Sequence, residues 1–308
     1  MIAVAGEALI DLLVGPAGQT QARPGGGPVN AARTIARLGH AAVFIGRMSR
    51  DRFGQLMRDT LEADGVRIGV TVAAAEPSTL AVVHLSAGGL PEYSFYLART
   101  AAGQLDYAQA IAALPAWPQA LHIGSLSLMM EPIAASLERL TGSVPASTLV
   151  LLDPNCRPAA VTSRQQYLDR LIRIAARADI VKASVEDLDY LSPGASVEAA
   201  AAALLAAGPA LVLVSDGPRP ARVFTAADAF SVPAPSVQIA DTVGAGDALG
   251  GAFLSWWTSR QLNREDLGRA DQVRQAVRAA VEVAALTCTR PGAEPPWAAE
   301  LTGKPGWT

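Results

Sequence analysis

Short, almost uninterrupted apolar runs recur along the chain. They predict buried strands at residues 2–5, 42–45, 121–123, 149–153, 180–182 and 211–215. Runs that are apolar throughout, instead of alternating, belong to a sheet covered on both faces. Between them, helical periodicity predicts helices at 30–38, 53–64, 133–140, 164–177 and 197–207, with a longer pair at 245–259 and 271–288. Strand and helix alternating in this way imply a mostly parallel sheet with helices on both faces. Two stretches break the rhythm. Residues 80–85 and 92–96 flank the Gly/Pro-rich 86–91 and read as a β-hairpin, a candidate lid. Residues 15–27, rich in Gly, Pro and Gln, read as irregular.

Composition narrows the classes. Half of the 308 residues are apolar and 17% are charged, which excludes a disordered chain or a coiled coil. A formal charge of −3 supplies no field for nucleic acid or for an acidic membrane surface. Two cysteines cannot build a disulfide framework, so a cytoplasmic protein is expected. No uncharged apolar stretch is long enough to span a membrane. The apolar start contains Glu7 and Asp11 and lacks a basic leader, so it is not read as a signal peptide. One domain over 1–308 is expected, with a small flap.

An open parallel sheet binds its ligands beyond the C-terminal ends of its strands. Asp11, Asp153-Pro154-Asn155, Ser184 and Ser215-Asp216-Gly217 fall at such ends. The most informative segment runs from Asp241 through Thr242-Val243-Gly244-Ala245-Gly246-Asp247 into an apolar helix. Unpaired N–H groups at a helix start, reinforced by the helix dipole, make an anion site suited to phosphate. Asp247 in the first turn is placed to take a proton from an attacking hydroxyl. A glycine-rich cap with an ordinary first-turn Asp is the plainer alternative. A P-loop is excluded, because the only Gly-Lys, Gly303-Lys304, is followed by Pro305. The dinucleotide fingerprint fails as well, since Leu249 stands where its third glycine belongs. A second glycine segment, Gly25-Gly26-Gly27-Pro28-Val29-Asn30, also leads into a helix. His40, His84 and His122 show no metal-ligand spacing, and Trp256-Trp257 reads as packing.

Taken together, these segments resemble the ribokinase-like (PfkB) carbohydrate kinases over nearly the whole chain, and most of all their bacterial fructokinase branch. The 25–30 segment through Gly46 and Phe53-Gly54 resembles the family's N-terminal signature, and 241–247 resembles its C-terminal one. Asp153-Pro154-Asn155-Cys156-Arg157 and Cys288-Thr289-Arg290-Pro291-Gly292-Ala293 resemble fructokinase motifs, the first also that of 2-keto-3-deoxygluconate kinases. The resemblance implies a three-layer α/β/α fold with a mostly parallel sheet and a small β lid from about 12–24 and 74–100. It implies ATP-dependent phosphorylation of a primary hydroxyl on a small sugar, fructose first, with a keto-acid or nucleoside as alternatives. A sugar-binding regulator without turnover is the alternative from another class.

Residue by residue, the resemblance assigns Asp247 as base and Gly244, Ala245 and Gly246 as the anion hole. Asp11, Gly26, Gly27 and Asn30 match sugar-binding positions, while Ser184, Ser215, Gly217 and Cys288 match nucleotide-binding ones. Asp187 by register, or its neighbour Glu186, would reach Mg²⁺ through water. Asp241, Val243 and Gly292 lie where the family often holds a monovalent cation, K⁺ being the expected ion. The lid departs from the fructokinase pattern: Phe95-Tyr96 is followed by Leu97, and Arg99 is expected either to substitute from the same strand face or to face solvent. Arg157 is expected either to contact the ligand or to lock its loop in a salt bridge. Pairing of two copies through the lid is a further expectation.

Overall fold

In the computed structural model, residues 1–69, 74–84, 92–304 and 306–307 are described. The strands are β1 Ile2–Ala5, β2 Leu9–Val14, β3 Thr20–Gly25, β4 Ala42–Ile45, β5 Arg67–Ile68, β6 Thr79–His84, β7 Glu92–Tyr96, β8 Ala120–Gly124, β9 Leu149–Asp153, β10 Ile180–Ser184, β11 Leu211–Ser215, β12 Ala221–Thr225 and β13 Ala229–Val232. The helices are α1 Gly27–Arg37, α2 Arg52–Ala63, α3 Tyr107–Ala112, α4 Ile133–Ser143, α5 Arg164–Ala175, α6 Val185–Leu191, α7 Val197–Ala207, α8 Ala245–Ser259 and α9 Ala270–Cys288.

Nine strands form one sheet in the order β13-β12-β11-β10-β9-β8-β1-β4-β5. It is parallel from β5 to β11, and β12 and β13 close that edge as an antiparallel pair. The apolar runs are explained by burial on both faces. Ile2 and Val4 of β1 enter one core with Val29, Phe253 and Val277, while Ala3 and Ala5 enter the other with Leu137, Leu152 and Ile174. Helices α1, α8 and α9 thus cover one face and α4 and α5 the opposite one, giving three layers. The tryptophan pair is packing: Trp256 and Trp257 are fully buried, and Trp257 stacks on Phe253 with ring centroids 5.4 Å apart.

A second, four-stranded sheet, β3-β2-β6-β7, forms the lid. The hairpin expected at 80–96 is present as β6 and β7, with Leu80 opposite Tyr96; its turn at 86–91 and Leu85 lie outside the described residues. The expectation of an irregular 15–27 is corrected. Residues 20–25 form β3, paired with β2 from Leu9↔Gly25 to Val14↔Thr20. Its side chains are mostly exposed, so no apolar pattern announces it; the backbone ladder to β2 carries the strand. Among the described residues no helix is long and apolar enough to cross a membrane.

Candidate active site

A cavity of about 770 Å³ opens between the lid and the C-terminal ends of the parallel strands. Its floor is the start of α8. Gly244 caps that helix in the left-handed conformation, φ +78°, and no side chain caps it. The N–H groups of Gly246 and Asp247 therefore have no acceptor among the described residues and face the cavity with the positive end of a 15-residue helix. Glycine is required at 244 twice over. The conformation disfavours a side chain, and a Cβ would stand 2.4 Å from that of Ala293. Ala293 is itself pinned: its carbonyl accepts from Arg33 Nη1 at 2.8 Å, and buried Arg33 pairs with buried Asp64 and with the more exposed Glu294.

Asp247 is buried and held from both sides. Its Oδ2 accepts from Asn30 Nδ2 at 2.9 Å, and its Oδ1 accepts from Asn155 Nδ2 at 3.2 Å. The other amide atom of Asn30, Oδ1, is buried, lines the cavity and has no partner, which leaves an acceptor open for a ligand hydroxyl. Asn155 stands at φ +40° just past β9, a strained position that Asn tolerates better than most residues. Gly27, the first residue of α1, lets these groups meet, because a Cβ there would lie 3.1 Å from Asp247 Oδ1 and 3.0 Å from Asn155 Nδ2. Asp11 enters from β2 of the lid. Burial, with the Asp247 charge added, raises its carboxyl to about 6.

Beneath the helix start lies Lys182, one of two lysines in the chain. Its Nζ donates to Asp153 at 2.9 Å and would be 2.9 Å from a Cβ on Gly246. Both charges are fully buried; Asp153 and Asp247 keep the lysine protonated, and burial pushes Asp153 up. His122 is buried alongside and pushed down to about 3 by burial and by Lys182, so it is neutral.

The expected nucleotide positions gather at the opposite end. Ser184, Ser215, Gly217 and Cys288 all line the cavity, with Val281, Ala284 and Ala285 giving an apolar wall. The Ser184 hydroxyl is engaged as the cap of α6, accepting from Asp187 N–H at 3.0 Å. Asp187 returns the bond, so both its carboxylate oxygens are already engaged by backbone N–H groups and it is less available to the metal than register suggested. Its carboxylate accepts from Ser184 N–H at 2.8 Å and from Cys156 N–H at 2.6 Å, and the short side chain folds back on the backbone. Glu186 is exposed on the cavity wall and fits the role of reaching metal-bound water. Asp241, Val243 and Gly292 also come together, with the Asp241 carboxylate accepting from the N–H of Val243 at 3.1 Å and of Gly292 at 2.8 Å. A free monovalent ion does not fit there, because the Arg23 guanidinium already stands 3.7 Å from Asp241 Oδ2.

Of the two expectations for Arg99, substitution in the substrate site is corrected and the solvent-facing one is what the structure shows. β7 ends at Tyr96, so the strand-face argument does not reach it; Arg99 lies exposed in the following turn at φ +55° and does not line the cavity. Arg157 does line it. Its guanidinium donates to the carbonyls of Asn155 and Cys156 and forms no ion pair among the described residues, so no salt bridge locks its loop. Sequence reasoning marked the 153–155 run as a strand end but gave Asn155 no role, and it passed over Lys182 and Arg23. Position after β9 is the signal for Asn155; nothing local marks Arg23, which reaches the site only through lid pairing.

Comparison with known proteins agrees with this fold. Residues 1–300 match the model of the pfkB family carbohydrate kinases. A fructokinase of Rhizobium leguminosarum bv. trifolii is 35% identical over 261 residues, covering 83% of this chain and 79% of the relative. The crystal structure of Xylella fastidiosa fructokinase with bound ATP superposes with a TM-score of 0.85 at 29% identity, covering 95% of this chain and 93% of the other. A double mutant of Vibrio cholerae O395 fructokinase in fructose-, ADP- and potassium-bound form gives 0.83 at 27% identity, covering 95% and 93%.

Proposed function

The chain belongs to the pfkB family of carbohydrate kinases and is an ATP-dependent sugar kinase; we propose that it phosphorylates a primary hydroxyl of fructose, and does so in the cytoplasm. The observation that carries the mechanism is Asp247, clamped by two amides beside the free N–H groups of α8.

Asn30 Oδ1 and the Asp11 carboxylate accept hydroxyls of the sugar and fix its orientation. The reacting hydroxyl lies against Asp247, which takes its proton as the new O–P bond forms. The bond from the γ-phosphorus to the β,γ-bridging oxygen breaks in line, and ADP leaves. Charge on the transferring oxygens is met by the N–H groups of Gly246 and Asp247 and by Lys182 below them. Mg²⁺ supplies further neutralisation of the phosphates when bound, with Glu186 the side chain placed to orient its water. The lid covers the sugar and keeps water from the phosphoryl group. Two cysteines, too few for a disulfide framework, support the cytoplasmic assignment.

Arg157 favours a second reading. A cavity-lining cation with no ion pair among the described residues suits a substrate carboxylate, as in 2-keto-3-deoxygluconate. ADP release in a coupled assay with ATP and Mg²⁺ over fructose, ribose, tagatose, 2-keto-3-deoxygluconate and adenosine separates the two. Highest kcat/KM on fructose supports the proposal. Highest kcat/KM on the keto-acid moves Arg157 into the substrate site and overturns it.

A further inference from the structure

We infer that Arg23 is a resident cation of the anion-hole loop, fixing the charge of Asp241 from the lid so that phosphoryl transfer proceeds without a monovalent ion. The inference rests on the kinase reading above.

Asp241 precedes the α8 start and acts as a staple. One carboxylate oxygen accepts from Val243 N–H in the loop that becomes the anion hole, and the other accepts from Gly292 N–H in the loop after α9. Both loops border the same helix terminus, since Ala293 packs against Gly244. A carboxylate in this place holds the loops in register, yet its negative charge lies beside a site built for phosphates. It needs a counter-charge that does not leave.

Arg23 supplies one. Its guanidinium is 3.7 Å from Asp241 Oδ2 and lies over the bare Cα of Gly292, where a Cβ would be 3.1 Å from Nη1. Gln21 Oε1 accepts from its Nη2 at 2.9 Å and steadies the fork. Both residues are only about one-third exposed or less, 31% for the Arg23 side chain and 26% for Asp241. A guanidinium stays charged at any working pH and presents several donors in one plane, so it replaces an ion with a tethered one. A second cation at the same carboxylate would meet like-charge repulsion.

Arg23 sits in β3 directly opposite Asp11 of β2, the lid carboxylate on the sugar side of the cavity. One strand pair therefore carries a sugar-facing acid and the counter-ion of the phosphate-side loop. With the lid in the position observed, Arg23 is already beside Asp241, so the lid that carries the sugar-side acid also holds the counter-ion of the phosphate-side loop. Arg23 is thus a positioning residue acting through Asp241.

The test compares wild type, Arg23→Ala and Arg23→Lys in potassium chloride and in tetramethylammonium chloride at equal ionic strength. Wild type is expected to show the same kcat/KM in both salts within about twofold. Arg23→Ala is expected to fall about fivefold or more in tetramethylammonium, the scale of a coupling between sites, and to recover in potassium; Arg23→Lys is expected to stay potassium-independent. The second readout needs no turnover: the thermal midpoint of Arg23→Ala should rise with potassium concentration while that of wild type should not. Several-fold activation of wild type by potassium overturns the inference. So does an Arg23→Ala enzyme indifferent to potassium in both readouts. A protein that phosphorylates no sugar on the panel fails the kinase reading instead, and the midpoint comparison still judges Arg23. Should Arg23→Ala not fold, the wild-type salt comparison decides alone.

Discussion

Gly27→Ala separates packing for stability from packing for chemistry. The added methyl would lie 3.0 Å from Asn155 Nδ2, 3.1 Å from Asp247 Oδ1 and 3.2 Å from Ser125 Cβ. Ordinary contacts to carbon lie near 3.5–4.0 Å, so all three neighbours must yield by several tenths of an ångström. The backbone itself does not object. Gly26 carries the left-handed turn at φ +106°, whereas Gly27 already belongs to α1. Alanine gains up to roughly 1 kcal/mol in helix preference, against roughly 1–3 kcal/mol for crowding a packed site. Global stability should therefore fall by no more than about 2 kcal/mol. The displaced atoms are the base and the amide that orients it, so the effect on turnover is far larger. A misplacement on this scale costs on the order of tenfold to a hundredfold in rate. Urea denaturation and steady-state kinetics on the same preparation measure both quantities. A variant that keeps kcat within about twofold of wild type would show that Gly27 does not bound the reacting groups, and the assignment of the clamp around Asp247 would fall with it.

Asn155→Ala should remove one of the two donors on Asp247, lowering kcat roughly tenfold or more with nucleotide affinity unchanged; equal losses in ATP affinity by calorimetry would place Asn155 elsewhere. Stability should fall as pH rises from about 5.5 to 8. Burial raises Glu7 to about 7 and Asp11 to about 6, so the folded chain binds their protons more tightly than the unfolded one. That stabilisation is full below the unfolded values near 4 and is lost as pH rises through the folded ones; about 2 kcal/mol of it for Glu7 and about 1 kcal/mol for Asp11 falls above pH 5.5. A urea midpoint that is flat or rising between pH 5.5 and 8 would contradict the burial argument.

How far the sequence disclosed this molecule depended on where the deciding contact lies. The six central strands announced themselves because each is buried on two faces, α9 because its apolar positions recur with helical period, and α8 because it is small and apolar almost throughout. The start of α8 was legible since its chemistry is local: glycines, a helix and an acid within a few residues. Thr20–Gly25 was legible only through the family resemblance, which put 12–24 in a β lid, because its strand character comes from pairing with β2 and its side chains mostly face solvent. Asp187 occupied the expected helix position, yet a shorter side chain than Glu bends into the capping box, a competition that spacing does not reveal. Asn155, Lys182 and Arg23 share a different reason. Each acts across the fold on a partner at least 29 residues distant, so its role exists only once the strands are assembled.

The central claim is that Asp247 is the base for transfer from ATP to sugar. It is tested most directly by single-turnover transfer of the γ-phosphoryl group to fructose in wild type and Asp247→Asn, with fructose affinity measured in parallel. Loss of roughly a hundredfold or more in the transfer rate, with fructose binding retained, is the predicted result. Transfer by the Asn variant within a few-fold of wild type would contradict the account, because a neutral amide in that clamp has no capacity to take the proton.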